Sequence, residues 1–544
     1  MRSLPLPTAI THTRIVDGTG GPEYLGDVVL EAGRISKILP AGAFKDTSGG
    51  TQIIDGAGLI TCPGFIDMHG GSGFQLVEDP LRHSKTSQGV TTEVIGHDVL
   101  YYQAVKGSNF FPTDEQLDRW TDSLQTSNAP FPGVANYLER LESGIGTNTL
   151  VLLPHSALRF HVQGLDIYEP TEQQLNSMAN ALNEALKQGA VGLASGFDLC
   201  PLPAPTYEEL KTLCAVLASH GAFYSPAPAA DGIDSLARYS ALFELARETS
   251  VGLHLTHVAP IYTEDKELLS ELLQLFEASL DSNIDLTIDT FPYVSNALPL
   301  AAFLPRWART GTVEEINRNL DDEEILARIR QELESPQSRQ IDALPIEWED
   351  LVVYSVEDSQ LRVLINQSIA TIARIQRVEP FTVFCNILTA DSLATTVLHN
   401  VGREDDIVDL INHRAHIGAS ASNFNKARPH PSTYGAFPRF ISHFAQDSSA
   451  IGLCEIINHL TGRPAARLKL AQRGEIREGY AADLVIFDPD SIMDMSSFKD
   501  PTEVAAGINY VLVNGVLMVD QRQLTDEHAG RALRRNADGL TRAL

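Results

Sequence analysis

The chain has 544 residues, too many for one ordinary hydrophobic core, so one large domain with a smaller companion is expected. Seventy acidic residues against 41 basic ones give a net charge of −29, and that field repels phosphate, which argues against nucleic acid or an anionic membrane as partner. Five scattered cysteines without a CxxC pair fit reduced thiols; with neither an apolar signal segment nor a run of membrane-spanning length, a cytoplasmic location is expected.

The first sixty residues alternate in the manner of strands. "AITHTRIVDGTG", "GDVVLEAGRISKIL" and "TQIIDGAGLITCPG" are short β-rich runs divided by glycine turns. The last seventy behave alike: "EGYAADLVIFDPD" and "INYVLVNGVLMVDQRQL" read as strands, the second with "NG" at a hairpin position. Two β-rich ends around a different middle predict one small β-sandwich built from residues 1–60 and 471–544.

The middle, 61–470, alternates apolar runs with amphipathic helical stretches. Its eight strand candidates are "LITCPGFIDMH", "TTEVIGH", "NTLVLLPH", "AVGLAS", "GAFYSPAP", "VGLHLTH", "DLTIDTF" and "HIGAS". Alternation of this kind predicts a parallel (β/α)8 barrel, and near-continuous apolar strands suit burial on both faces. Between the seventh and eighth candidates lie about 120 residues, far more than an ordinary loop. An insertion over about 296–400 is therefore expected, with helices at "AAFLPRWARTGTVEEINRNL" and "DDEEILARIRQELES", a strand at "PIEWEDLVVYSV", and a place over the barrel mouth.

Polar residues close these strands: His69, His97 with Asp98, His155, Ser195, His257, Asp289 and Ser420. Strand carboxyl ends face the active site in this fold, so four strand-end histidines point to a shared polar pocket. Ser195 stands in "ASGF", which is not a GxSxG elbow, so it is not expected to be a nucleophile. Tyr101 and Tyr102 follow the second strand, Tyr101 as a candidate for lining the mouth. Arg159 and Arg439 suit either ion pairing or an anionic substrate group.

The motifs "PGFIDMH", "QGVTTEVIG", "THV", "DTFPY", "RPHPSTYGAFPRF" and "RGEIREGYAADLVIFDPDSI" occur in order along nearly the whole chain. Together they resemble the N-acyl-D-amino-acid deacylases of the amidohydrolase superfamily. The resemblance implies a barrel, a β-sandwich from both termini and an insertion, with zinc-assisted amide hydrolysis as the chemistry. It also implies a ligand set, and here the chain departs. The first histidine of the HxH motif is His69, but the second falls on Gly71. The strand-two cysteine ligand falls on Asp98, the strand-five histidine on Ala227 and the strand-eight aspartate on Ser420. The strand-six histidine survives as His257. A substrate-side lysine falls on Ala259 and an arginine on Ser432, while the strand-seven tyrosine persists as Tyr293.

Glycine and alanine offer a metal no lone pair, and a serine hydroxyl does not titrate near neutral pH. The ancestral two-metal deacylation is therefore expected to be lost, with no cofactor required. The leading expectation is metal-independent acid/base chemistry, of isomerase, lyase or cyclase type, on a small organic substrate. Asp98, His257 and His69 are the catalytic candidates; His97, His155, Tyr293, Ser420 and Tyr101 are candidates for substrate binding. Two alternatives stand beside it. One is a mononuclear hydrolase holding a single zinc or manganese ion on His69, Asp98 and His257. The other is a non-catalytic small-molecule binder.

Overall fold

The computed structural model describes residues 5–47, 49–71, 76, 79–97, 133–142, 144–163, 168–196, 205–227, 235–258, 266–309, 313–334, 346–400, 402–418 and 428–543. Both ends of the chain contribute to one sheet. Thr8–Ile15 pairs antiparallel with Tyr24–Glu31, which continues to Arg34–Pro40. On its other side Thr8–Ile15 runs parallel to Ile60–Pro63, and that strand pairs with Leu484–Phe487 from the far end of the chain. Ile508–Val513 and Val516–Asp520 extend the sheet through an Asn514–Gly515 turn. Both turn residues have positive φ, 50° and 80°, which suits the strand twist of a two-residue hairpin.

Eight parallel strands form the second sheet: β1 Phe65–Asp67, β2 Val90–Ile95, β3 Asn148–Pro154, β4 Gly192–Ser195, β5 Phe223–Pro226, β6 Gly252–Leu255, β7 Leu286–Thr290 and β8 His416–Gly418. They pair in chain order from β1 to β8. Nearly every residue in them is buried, as strands between a packed interior and a coat of helices must be. The fold is a (β/α)8 barrel with a β domain beside it, as expected from the alternation of apolar runs.

One expected strand differs. "LITCPGFIDMH" is not one strand but two in different sheets, broken at Gly64. The Gly64 N–H donates to the Asp483 carbonyl at 2.8 Å, drawing Ile60–Pro63 into the β domain. A side chain at 64 would meet Thr91 Oγ1 at 2.1 Å, so only glycine lets β1 start against β2 here. Of the eighth candidate, His416–Gly418 is a strand, and Ser420 lies outside the described residues, as do Asp98 and Tyr101.

Between β7 and β8 the insertion forms its own three-stranded antiparallel sheet. Thr396–Asn400 lies between Ser295–Pro299 and Leu351–Ser355. The last of these is the strand expected in "PIEWEDLVVYSV". Helices such as Val313–Leu320, Glu323–Glu334 and Pro380–Ala390 pack on that sheet around a separate core that includes Phe303, Phe384, Leu388 and Val397.

Candidate functional site

The carboxyl ends of β1, β2 and β6 bring three imidazoles into one pile. The His69 ring lies between those of His97 and His257, with centroid separations of 4.1 and 3.8 Å and planes within 19° of parallel. Each arrives there for a local reason. His69 follows β1, and its N–H donates to Asp67 Oδ1 at 3.0 Å, which fixes the turn out of the strand. His97 follows Gly96, whose φ of 100° bends the chain where any Cβ would strike the Leu152 carbonyl. His257 itself has φ of 51°, a left-handed conformation unusual for histidine.

The ring nitrogens meet hydroxyls. His69 Nδ1 is 2.8 Å from Thr256 Oγ1, and His97 Nε2 is 3.4 Å from Ser225 Oγ. Burial, then the neighbouring imidazoles His257 and His97, and then Lys85 hold His69 well below the usual histidine range. Burial likewise pushes His97 down to about 3. At neutral pH both rings are uncharged, with lone pairs available.

Two buried ion pairs lie under the end of β1. Lys85 Nζ donates to Asp67 Oδ2 at 2.7 Å. Arg82 binds Glu93 through Nε at 3.1 Å and Nη2 at 2.7 Å, and Nη2 also donates to the Gly70 carbonyl. Gly70 permits this approach, because a Cβ there would stand 2.7 Å from Glu93 Oε2. On the other side of the pile Asp289, at the end of β7, is fully enclosed. Its Oδ1 accepts the His257 N–H at 2.8 Å, and its Oδ2 is 2.8 Å from His254 Nε2. Burial raises the Asp289 carboxyl, but His254 and His257 outweigh it and the net shift is downward.

The ring series continues past His257. Phe291 tilts against His257 at 5.4 Å, His430 meets Phe291 edge-on at 6.0 Å, and Tyr293 meets His430 edge-on at 5.1 Å. His430 ties this end to the insertion: Nε2 is 2.9 Å from the Ser295 carbonyl and Nδ1 is 2.8 Å from Ser432 Oγ. Arg439 lies over the Tyr293 ring and pairs with Asp494 at 3.3 Å.

His155 occupies a different setting. Its Nδ1 is 3.0 Å from Ser195 Oγ and its Nε2 2.9 Å from Glu209 Oε1. Arg159 grips both oxygens of Glu209, at 2.7 and 2.5 Å. Glu209 reaches this network from the first turn of helix Tyr207–Ser219, which Thr206 caps. Ser195, His155 and Glu209 thus line up, yet His155 and Glu209 are wholly enclosed and the guanidinium takes the carboxylate's charge. The group ties β3 and β4 to the helix behind them.

Of the sequence-derived candidates, the structure therefore brings together His69, His97 and His257, and connects Tyr293 to them through His430 and Phe291. His155 faces Ser195 and Glu209. His254 and His430 were not among the candidates. The first looked like an interior strand residue in "VGLHLTH", the second sits in a loop motif with no strand to orient it. As to metal binding, near-parallel rings send their in-plane lone pairs side by side instead of toward one point, and His69 Nδ1 faces a hydroxyl. Among the described residues no three His, Cys, Asp or Glu side chains are grouped to hold a metal ion. In this arrangement the described donors do not fit a metal centre.

A match to the amidohydrolase family spans residues 52–519. The chain belongs to the amidohydrolase family. The chain is 28% identical over 544 residues to the D-aminoacylase of Alcaligenes xylosoxydans xylosoxydans, covering 98% of the chain and 99% of the relative. It is 26% identical to the N-acyl-D-glutamate deacylase of the same organism, over 96% of the chain and 95% of the relative. Among solved structures, a D-aminoacylase described as having a binuclear metal centre aligns with a TM-score of 0.78 at 26% identity, over 98% of this chain and all (100%) of the other. The N-acyl-D-glutamate deacylase of Bordetella bronchiseptica, complexed with zinc and a phosphonate inhibitor, gives the same TM-score of 0.78 at 22% identity, over 97% of this chain and 100% of the other. These likenesses support an enzyme of hydrolase ancestry. Among the described residues no helix is long and apolar enough to cross a membrane.

Proposed function

We propose that this amidohydrolase is an enzyme repurposed from deacylase ancestry to metal-independent acid/base chemistry on a small organic substrate, of isomerase, lyase or cyclase type. The observation that carries the reading is the pile of three imidazoles at the barrel mouth, two of them kept neutral by burial. A neutral imidazole held by a hydroxyl accepts a proton at one nitrogen and releases one at the other. Asp98 and His257 are the proposed acid/base pair, and His69 polarises or positions the substrate. His97, Tyr293 and, outside the described residues, Tyr101 and Ser420 are the proposed substrate contacts; His155, expected among them, is enclosed with Ser195 and Glu209 and is set aside. The positions that resemble family ligands but carry Gly71, Ala227 and Ser420 support the same reading. The expected division, a barrel at 61–470, an insertion at about 296–400 and a β domain of 1–60 with 471–544, is amended at one edge: Ile60–Pro63 pairs within the β domain, so the proposed barrel begins at Phe65.

The test joins elemental mass spectrometry of the purified protein to a turnover screen over small carbonyl compounds, lactams and amides, before and after chelation. The expected result is turnover that survives chelation and falls by about 10²–10⁴-fold in His257→Ala and in Asp98→Ala. A second reading is a hydrolase with a single zinc or manganese ion, favoured by the relative whose description names one-metal activation. His69, Asp98 and His257 would hold that ion, after the rings had turned from their present stacking. Turnover abolished by chelation and restored by zinc or manganese would overturn the first reading in favour of the second.

A further inference from the structure

We infer that Asp289 is a positioning residue: its carboxylate holds His257 in a left-handed backbone conformation and so sets the His257 ring against His69. The inference rests on the proposed function only in taking His257 as a working group.

His257 has φ of 51°, where a residue with a Cβ is strained and needs its surroundings to hold it. The backbone N–H of that residue donates to Asp289 Oδ1 at 2.8 Å. The next N–H, of Val258, donates to the Asp289 carbonyl at 2.8 Å, so one residue of β7 takes two successive amides leaving β6. The carboxylate is itself aimed. Its Oδ2 is 2.8 Å from His254 Nε2, and His254 Nδ1 is 3.0 Å from Thr287 Oγ1. The contact between His254 and the carboxylate is a close approach without hydrogen-bond alignment, and the threonine hydroxyl holds the other side of the ring. Asp289, His254 and His257 are thus linked in a line from the barrel interior to the pile. Thr256, between the last two histidines, supplies the hydroxyl on His69 Nδ1. The segment His254–His257 therefore sets one face and one edge of the His69 ring, and Asp289 fixes the direction in which that segment leaves β6.

The experiment compares wild type, Asp289→Ala and Asp289→Asn by crystal structure and by diethyl pyrocarbonate modification, read histidine by histidine in peptide mass spectra. Asparagine keeps an oxygen for the His257 N–H. The expected result is that Asp289→Ala relaxes φ at His257, parts the two rings, and speeds carbethoxylation of His257 and His69 about tenfold, as release of a strained backbone allows. His155, in its separate network, keeps its wild-type rate, and Asp289→Asn keeps wild-type protection throughout. Should Asp289→Ala fail to fold, Asp289→Leu fills the same space without an acceptor and takes its place. The inference is overturned if His257 keeps its φ and protection without an acceptor, if Asp289→Asn is as reactive as Asp289→Ala, or if His155 becomes reactive in step. Since modification rather than turnover is read, a negative result leaves the proposed chemistry standing. Conversely, turnover indifferent to His257→Ala would remove the chemistry without touching the geometry.

Discussion

His69 and His155 both stand at the carboxyl ends of barrel strands, both are buried, and burial lowers the pKa of each. They differ in what faces the ring nitrogens. His155 has a carboxylate on Nε2, and that carboxylate is itself held by a guanidinium. Its tautomer is locked, because moving the proton would leave Glu209 without a donor it needs. His69 has a neutral hydroxyl on Nδ1 and two more imidazoles across its faces. The partner on Nδ1 carries no charge. Strand-end position and residue type are the same in the two cases; the partner separates a buttress from the ring proposed to position or polarise the substrate.

The largest expected effect breaks the buttress. Glu209→Ala leaves Arg159 and His155 buried without their carboxylate, and removing one partner of a buried pair costs about 3–5 kcal/mol. Urea unfolding monitored by circular dichroism reads this directly. A loss near zero would mean that the network carries no stability and that the contrast with His69 is empty. The same carboxylate predicts an acid dependence. Glu209 is raised by burial but lowered more by Arg159 and His155, to about 2 from an ordinary 4.5. A depressed carboxyl stabilises the fold above its unfolded pKa, and that stability is lost as pH falls through the window from about 4.5 to about 2. Wild type should thus lose its advantage over Glu209→Gln across that window, in urea midpoints measured at successive pH values. A constant advantage down to pH 2 would contradict the pairing.

Much of the fold could be read before any coordinates. Eight apolar runs between amphipathic helices mark a parallel barrel, and "NG" in a β-rich run marks a hairpin, because each signal is local in sequence. The split of "LITCPGFIDMH" between two sheets was not legible. It depends on Asp483 and Thr91, residues remote in sequence that crowd Gly64. The site was legible as a list and not as an arrangement. His69, His97 and His257 announce themselves as strand-end residues, but their stacking depends on the turns at Gly96 and His257. His254 was hidden because an interior strand histidine looks like any core residue until Asp289 is placed opposite it. His430 was hidden because its loop has no period from which an orientation can be read.

A smaller pair of substitutions sharpens the comparison at the pile itself. Thr256→Val swaps the hydroxyl on His69 Nδ1 for a methyl of similar size. The loss of one buried hydrogen bond, with an imidazole nitrogen left unsatisfied, costs about 1–3 kcal/mol, less than the buttress because no charge is stranded. It should also free the His69 ring to turn, visible as a wider separation from His257 in a crystal structure. Ser225→Ala is expected to do least. Its hydroxyl stands 3.4 Å from His97 Nε2, at the long edge of a hydrogen bond, and the cost should stay below about 0.5 kcal/mol. If Ser225→Ala instead matched Thr256→Val in urea midpoint, His97 would be held as firmly as His69. The pile would then be a rigid block, and the difference drawn between its two hydroxyl contacts would have to be given up.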